Sequence, residues 1–176
     1  MGETLTFVAV CATEPPQAEC LAALEDPHVF VDEVLSLARI AALEACDEEW
    51  IAFVDGDVVV EPSWRVPPVG DDVAVVSGPL RGEFATHGVG AETFHGGNVA
   101  FRAPALRGVG GFWPARGHRF GRDWFSDEHE AQRELARAGW RAVFDEAMAA
   151  RRLPSPGRLR RAARAGARRP RRGGPR

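Results

Sequence analysis

Asp55-Gly56-Asp57 closes an unbroken apolar run, Trp50-Ile51-Ala52-Phe53-Val54. Such a run reads as a strand buried on both faces, and its acids stand where the strand surfaces. In extended backbone positions i and i+2 share a face, so Asp55 and Asp57 can point the same way. Two convergent carboxylates repel, and a hard divalent cation that takes oxygen ligands and shares them with phosphates relieves the repulsion. The competing reading is a plain turn: Asp-Gly is a hairpin dipeptide, with Val58 to Val60 as the return strand. A second acidic group, Asp127-Glu128, follows Ser126 at the head of a helical pattern. There the acids complement the helix dipole behind a Ser N-cap.

The elements that must position these groups alternate. Leu5 to Ala12 is a short apolar strand, broken by Thr13-Glu14-Pro15-Pro16 before a helix that buries Leu21, Ala22 and Leu24. His28 to Asp32 is a second strand. Val34, Leu35, Ala38, Ala41, Ala42 and Ala45 recur at helical spacing. Val73 to Ser77 is a further strand. A helix from Ser126 turns Ala131, Leu135 and Ala138 inward and stops at Gly139-Trp140. β, α, β, α, β with short connections is the pattern of a doubly wound, mostly parallel sheet flanked by helices, with ligands at the carboxyl ends of the strands.

Three stretches resemble family 2 glycosyltransferases, in the family's order. They are Trp50 to Trp64 with its Asp-x-Asp, Gly96-Gly97-Asn98-Val99-Ala100-Phe101-Arg102, and Ser126 to Glu130 heading its helix. The resemblance implies a GT-A fold in a single compact α/β domain and transfer of a sugar, with inversion, from a nucleotide-diphosphate donor to an acceptor hydroxyl. It implies Mg2+ or Mn2+ on Asp55 and Asp57, and a catalytic base at Asp127 or Glu128, the family's Glu-Asp order being reversed here. Donor contacts are implied at Thr13, Glu14, Asp32, Arg39, Asp55, Gly96, Gly97 and Asn98. Several of these also read as ordinary structure: Thr13 and Glu14 as a solvated loop, Arg39 as a surface residue, the paired glycines as a tight turn.

The chain departs from the family in places. Ile40 stands where Asn follows the Arg, Arg151-Arg152 replaces a His near the start of the tail, and the segment from Arg81 to His95 is short, which leaves the acceptor unread. Arg116 to Trp124 reads as a loop that closes over substrate. Two other functions fit the same residues: a catalytically silent nucleotide-sugar binding domain, and a protein that anchors to membrane or nucleic acid through its tail.

Composition sets outer bounds. The chain has 176 residues and 45% hydrophobic content, enough for one domain with a core, expected over residues 1–150. The last 26 residues hold 11 Arg and no acid, so the formal charge divides into about −14 and +11. That tail, 151–176, is expected to be disordered. It has no rings to stack on bases, so no specific nucleic acid is expected, and an anionic membrane surface is the partner its charge suits. Cys11, Cys20 and Cys46 form no metal or disulfide spacing, and a reducing cytoplasm fits them. No apolar run reaches the roughly 18 residues of a spanning helix, and no basic stretch precedes Thr4 to Ala12 as in a signal peptide. The expected location is the cytoplasm, with the inner face of the membrane as a docking surface. The partners would be a nucleotide-sugar and a glycan, lipid-linked or small-molecule acceptor, in glycan or cell-envelope synthesis.

Overall fold

The computed structural model describes residues 5–82, 97–113, 119–120, 123–124 and 127–154. The strands are β1 (Thr6–Ala12), β2 (His28–Val31), β3 (Trp50–Asp55), β4 (Val58–Val60), β5 (Val73–Ser77), β6 (Leu80–Arg81), β7 (Asn98–Arg102), β8 (Arg119–Phe120), β9 (Asp123–Trp124), β10 (Arg141–Phe144) and β11 (Ala150–Arg152). The helices are α1 (Ala18–Ala22), α2 (Leu35–Ala45), α3 (Ala103–Gly108) and α4 (Asp127–Arg137). A six-stranded sheet runs in the order β10-β5-β7-β3-β1-β2, a three-stranded sheet in the order β4-β11-β6, and β8 pairs with β9.

In the large sheet β1 is parallel to β2 and β3, and β10 to β5, while β7 runs antiparallel between β3 and β5. The α/β class and the mostly parallel winding are as expected. Central position explains the composition of β3. β7 and β1 pair with its two edges, while α2 and α4 pack on one face and Val66 and Met148 on the other, so every residue from Trp50 to Val54 is buried. Ile51 and Phe53 join the core with Ala38 and Ala42 of α2 and Ala131 and Leu135 of α4. Trp50 and Ala52 point the other way, toward Val66, Val76 and Met148. Side chains alternate along a strand, so Asp55 continues the odd register and emerges on the α2/α4 side. Phe53, Phe101 and Phe112 meet edge-on below it, with ring centroids 5.2–6.0 Å apart.

Several expectations needed correction. The first helix is a five-residue turn that buries Cys20, leaving Ala22 exposed, because Pro15 and Pro16 delay its start. In α2 the inward face is Ala38, Arg39, Ala42 and Leu43, with Ala41 and Ala45 in solvent. An alanine-rich segment offers two nearly equal stripes, and Leu43 with Arg39 decides between them. Ala138 is exposed beyond α4, and Gly139, at φ +90°, ends that helix. Val58 to Val60 is a strand but not a hairpin partner of β3; it pairs antiparallel with β11. The expected tail therefore begins inside the fold, since Arg151 and Arg152 belong to β11. Residues 155–176, the expected cap Ser126, and 83–96 with His95 and Gly96 lie outside the described residues, as does most of the loop 116–124.

All three cysteines are buried and free, and burial pushes the Cys11 thiol up to about 12 and that of Cys20 to about 11. They are inert core side chains, as expected. Among the described residues no helix is long and apolar enough to cross a membrane.

Candidate active site

Three elements bring charge to the carboxyl end of β3. Asp55 leaves that strand on the α2 side, Arg39 projects inward from α2, and Asp127 and Glu128 open α4. The Arg39 Nη1 lies 2.6 Å from Asp127 Oδ1 and 2.5 Å from Glu128 Oε2, and its Nη2 lies 3.9 Å from Asp55 Oδ1. Arg39 has a side chain only 4% exposed, against 9% for each acid of α4. One guanidinium thus sits between the acid that ends the central strand and the acids that begin the last helix.

A second guanidinium serves the other side. Strand β11 threads between β4 and β6, and alternation puts Arg152 on the same face as buried Ala150. Its Nη2 donates to Asp55 Oδ2 at 2.7 Å, and its Nε stands 3.8 Å from Asp57 Oδ1. Gly97 makes the room. Strand β7 is antiparallel to β3, so its start lies beside the end of β3, where Asp55 N donates to Gly97 O at 3.1 Å. Gly97 has φ +113°, and a Cβ there would fall 2.5 Å from Arg152 Nη2 and 2.7 Å from Asp55 Oδ2.

Four carboxylates thus share two guanidinium groups, and the electrostatics follow. Burial pushes Asp127 up to about 7, helped by its hydrogen bond with Glu128 and opposed by Arg39. Burial also raises Asp55, against the pull of Arg152 and Arg39. For Arg39, burial works against the charge, but Glu128, Asp127 and Asp55 outweigh it and hold the group cationic. Asp127 Oδ2 is buried without a hydrogen-bond partner. A carboxyl near neutrality with one free oxygen is equipped to exchange a proton.

No protein-family model matches the chain, and no curated protein matches it in sequence. Solved structures do. A mannosyltransferase of Pyrobaculum calidifontis, in complex with GDP-Man and Mn2+, superposes with TM-score 0.57 at 16% identity, over 93% of this chain and 65% of its own. A Drosophila beta1,4-galactosyltransferase 7 variant, in complex with manganese, UDP-Gal and xylobiose, gives 0.57 at 13% identity over 95% of this chain and 81% of its own. S. aureus TarS gives 0.55 at 13% identity over 92% of this chain. The fold is of the GT-A type. This chain spans 65% of the length of the mannosyltransferase and 38% of that of TarS.

Within this GT-A domain the other expected site residues divide. Thr13 and Glu14 are exposed on the loop after β1, and that loop rests on the acidic turn, with Gln17 N donating to Gly56 O at 2.9 Å. Asp32 ends β2, and its Oδ1 accepts from Val34 N at 2.8 Å, steadying the entry to α2. All three lie on the carboxyl edge of the sheet that also carries Asp55. Gly56 and Asp57 form a turn, not extended backbone, yet both carboxylates still reach Arg152.

Two expectations for the GT-A site needed changing. Asn98 is 1% exposed, accepts from Trp64 Nε1 at 2.9 Å and donates to the Met148 carbonyl, so its amide is spent inside the protein. Arg39 is not a surface residue: its side chain is buried and its Nη1 is engaged by Asp127 and Glu128. The residue that sequence reasoning missed is Arg152. The signal lay in the two Arg that stand where a metal-binding His was expected, but they read as the start of a basic tail.

Proposed function

We propose that this chain is a glycosyltransferase resembling family 2, moving a sugar, of the hexose type, from a nucleotide-diphosphate donor to an acceptor hydroxyl with inversion. The observation that carries the reading is the link through Arg39, which brings the acids of β3 and of α4 to one end of the sheet. That end, where the strands finish, is where open α/β sheets take their ligands. The fold likeness to transferases crystallised with nucleotide-sugars and Mn2+ supports the same class of donor.

The residues present suit a divalent ion. Asp55 and Asp57 converge on one guanidinium, which marks a common cation position. Among the described residues no group of three or more His, Cys, Asp or Glu could hold a metal, so the remaining ligands would come from the diphosphate. Mg2+ or Mn2+ bound there supplies Lewis-acid stabilisation of the leaving diphosphate.

The protein's own groups do the rest. Thr13, Glu14 and Asp32 line the edge on which the nucleoside would lie, and Gly97 leaves room for Arg152 beside Asp55. Asp127, with its free buried Oδ2, takes the proton of the acceptor hydroxyl as the oxygen attacks the anomeric carbon. Arg39 holds Asp127 in place and balances Glu128. Positive charge on the sugar ring peaks in an oxocarbenium-like transition state, for which this acidic cluster is a suitable neighbour. The domain includes β11, and with it Arg151 and Arg152.

The test is a panel of nucleotide-sugars incubated with the chain and Mn2+ or Mg2+, scored for diphosphate release. Slow release from one donor, stopped by a chelator, is expected. Binding of a nucleoside diphosphate with no release from any donor would overturn the enzyme reading in favour of a silent binding domain.

A further inference from the structure

Between Asp55 and Asp57 the fold already holds a cation, the side chain of Arg152. The backbone on either side is pinned, with Ala150 N donating to Pro79 O at 2.8 Å and Leu153 N to Asp57 O at 2.7 Å. Only the side chain is left to move. Its side chain is 14% exposed, and the guanidinium lies against Asp55 Oδ2 at 2.7 Å. A guanidinium cannot shed its charge by deprotonation, as an amine or imidazole does. A divalent ion takes carboxylate oxygens at roughly 2.0–2.6 Å, so at Asp55 Oδ2 it would meet a fixed positive charge already 2.7 Å from that oxygen, and like-charge repulsion weakens its binding while the guanidinium stays.

Arg152 is also incompletely satisfied where it is. Its Nε is buried without a hydrogen-bond partner, although Asp57 is near. An unpaired buried donor on a charged fork is costly, and a phosphate oxygen is the acceptor that best matches a fork of this shape. Arg152 therefore has a reason to stay in the absence of ligand and a better partner when a diphosphate arrives.

We propose that Arg152 closes the Asp55–Asp57 pair to free divalent metal, so that metal enters only together with a nucleoside diphosphate, whose phosphates take over the guanidinium. The inference rests on the metal-assisted reading above and adds an order of binding to it. Arg152 is a positioning residue: it sets when the carboxylates are available and takes no part in bond making.

The experiment is direct Mn2+ binding to the full chain, followed by electron paramagnetic resonance without any sugar donor. Wild type should bind Mn2+ only weakly alone and one Mn2+ tightly when a nucleoside diphosphate is added. Arg152→Gln should bind Mn2+ without nucleotide, roughly tenfold to a hundredfold tighter than wild type, the weight of one charge-assisted hydrogen bond. Arg152→Lys, which keeps the charge, should close the site again, and Asp57→Asn on top of Arg152→Gln should abolish the gained binding. Mn2+ binding to wild type alone with the affinity of Arg152→Gln overturns the proposal, and so does a folded Arg152→Gln that gains no binding. The wild-type comparison stands even where a variant fails to fold, because tight Mn2+ binding without nucleotide sinks the idea by itself. None of these readings uses turnover, so a failed donor panel and a failed inference are told apart.

Discussion

Arg39 Nη1 lies 2.6 Å from Asp127 Oδ1, although 88 residues separate them in the chain. The contact joins the second helix to the last long one over the end of the central strand. It turns two acidic stretches into one cluster.

Removing that guanidinium should be costly. Arg39→Met leaves Asp127, Glu128 and Asp55 buried together without their shared cation. Breaking a buried pair from one side costs about 3–5 kcal/mol, read as a lower midpoint in urea at pH 8. Arg39→Lys should recover only part of the loss, because one ammonium does not fork to two carboxylates. A wild-type midpoint in Arg39→Met would show that the cluster does not need this charge.

Turnover should rise with pH along an acid limb centred near 7, since the Asp127 carboxyl is pushed up to about 7 and must be ionised to act as base. Asp127→Asn should lower turnover by about 10²–10⁴-fold and remove the limb. Stability carries the opposite sign. With a folded value of about 7 against the ordinary 3.8, the folded state binds more protons between those limits. Its contribution to stability is therefore present below about pH 4 and declines as pH rises toward 7. Melts of wild type against Asp127→Asn across that window isolate the group, and parallel curves would refute the assignment.

Asn98→Ala should act on the fold alone. It strips the partner of Trp64 Nε1 and of the Met148 carbonyl in a site that is 1% exposed. The expected loss is about 1–3 kcal/mol, with the KM for the donor unchanged wherever the variant is folded. A large rise in donor KM at full stability would return Asn98 to the sugar.

The Arg-rich residues 155–176 carry their own prediction. Arg151 and Arg152 are held by β11, and Arg151 pairs with Glu19, so these two are engaged within the described residues. Each further Arg near an anionic surface adds about 1 kcal/mol. The full chain should pellet with vesicles rich in anionic lipid, and a chain ended at Leu153 should stay in the supernatant. Equal pelleting rejects membrane docking.

Much of the architecture was legible in the residue order. The buried run from Trp50 to Val54 announced a central strand, because only a strand covered on both faces can afford five apolar residues without a break. Val73 to Ser77 and the helix opening at Asp127 were legible for the same reason, periodic burial written into neighbouring residues. Local pattern also located the acids, since polar groups beside a buried strand mark where it reaches water.

What no local pattern carried was the pairing of charges. Arg39, Arg152 and the four acids come from α2, β11, the end of β3, the turn after it and α4, and only the sheet order and the antiparallel insertion of β7 bring them together. Asn98 shows the converse: its neighbours in sequence suggested a ligand contact, whereas burial obliged its amide to satisfy Trp64 and Met148 instead. Periodicity reports which residues leave water. The partner a buried charge finds there is a property of packing in three dimensions.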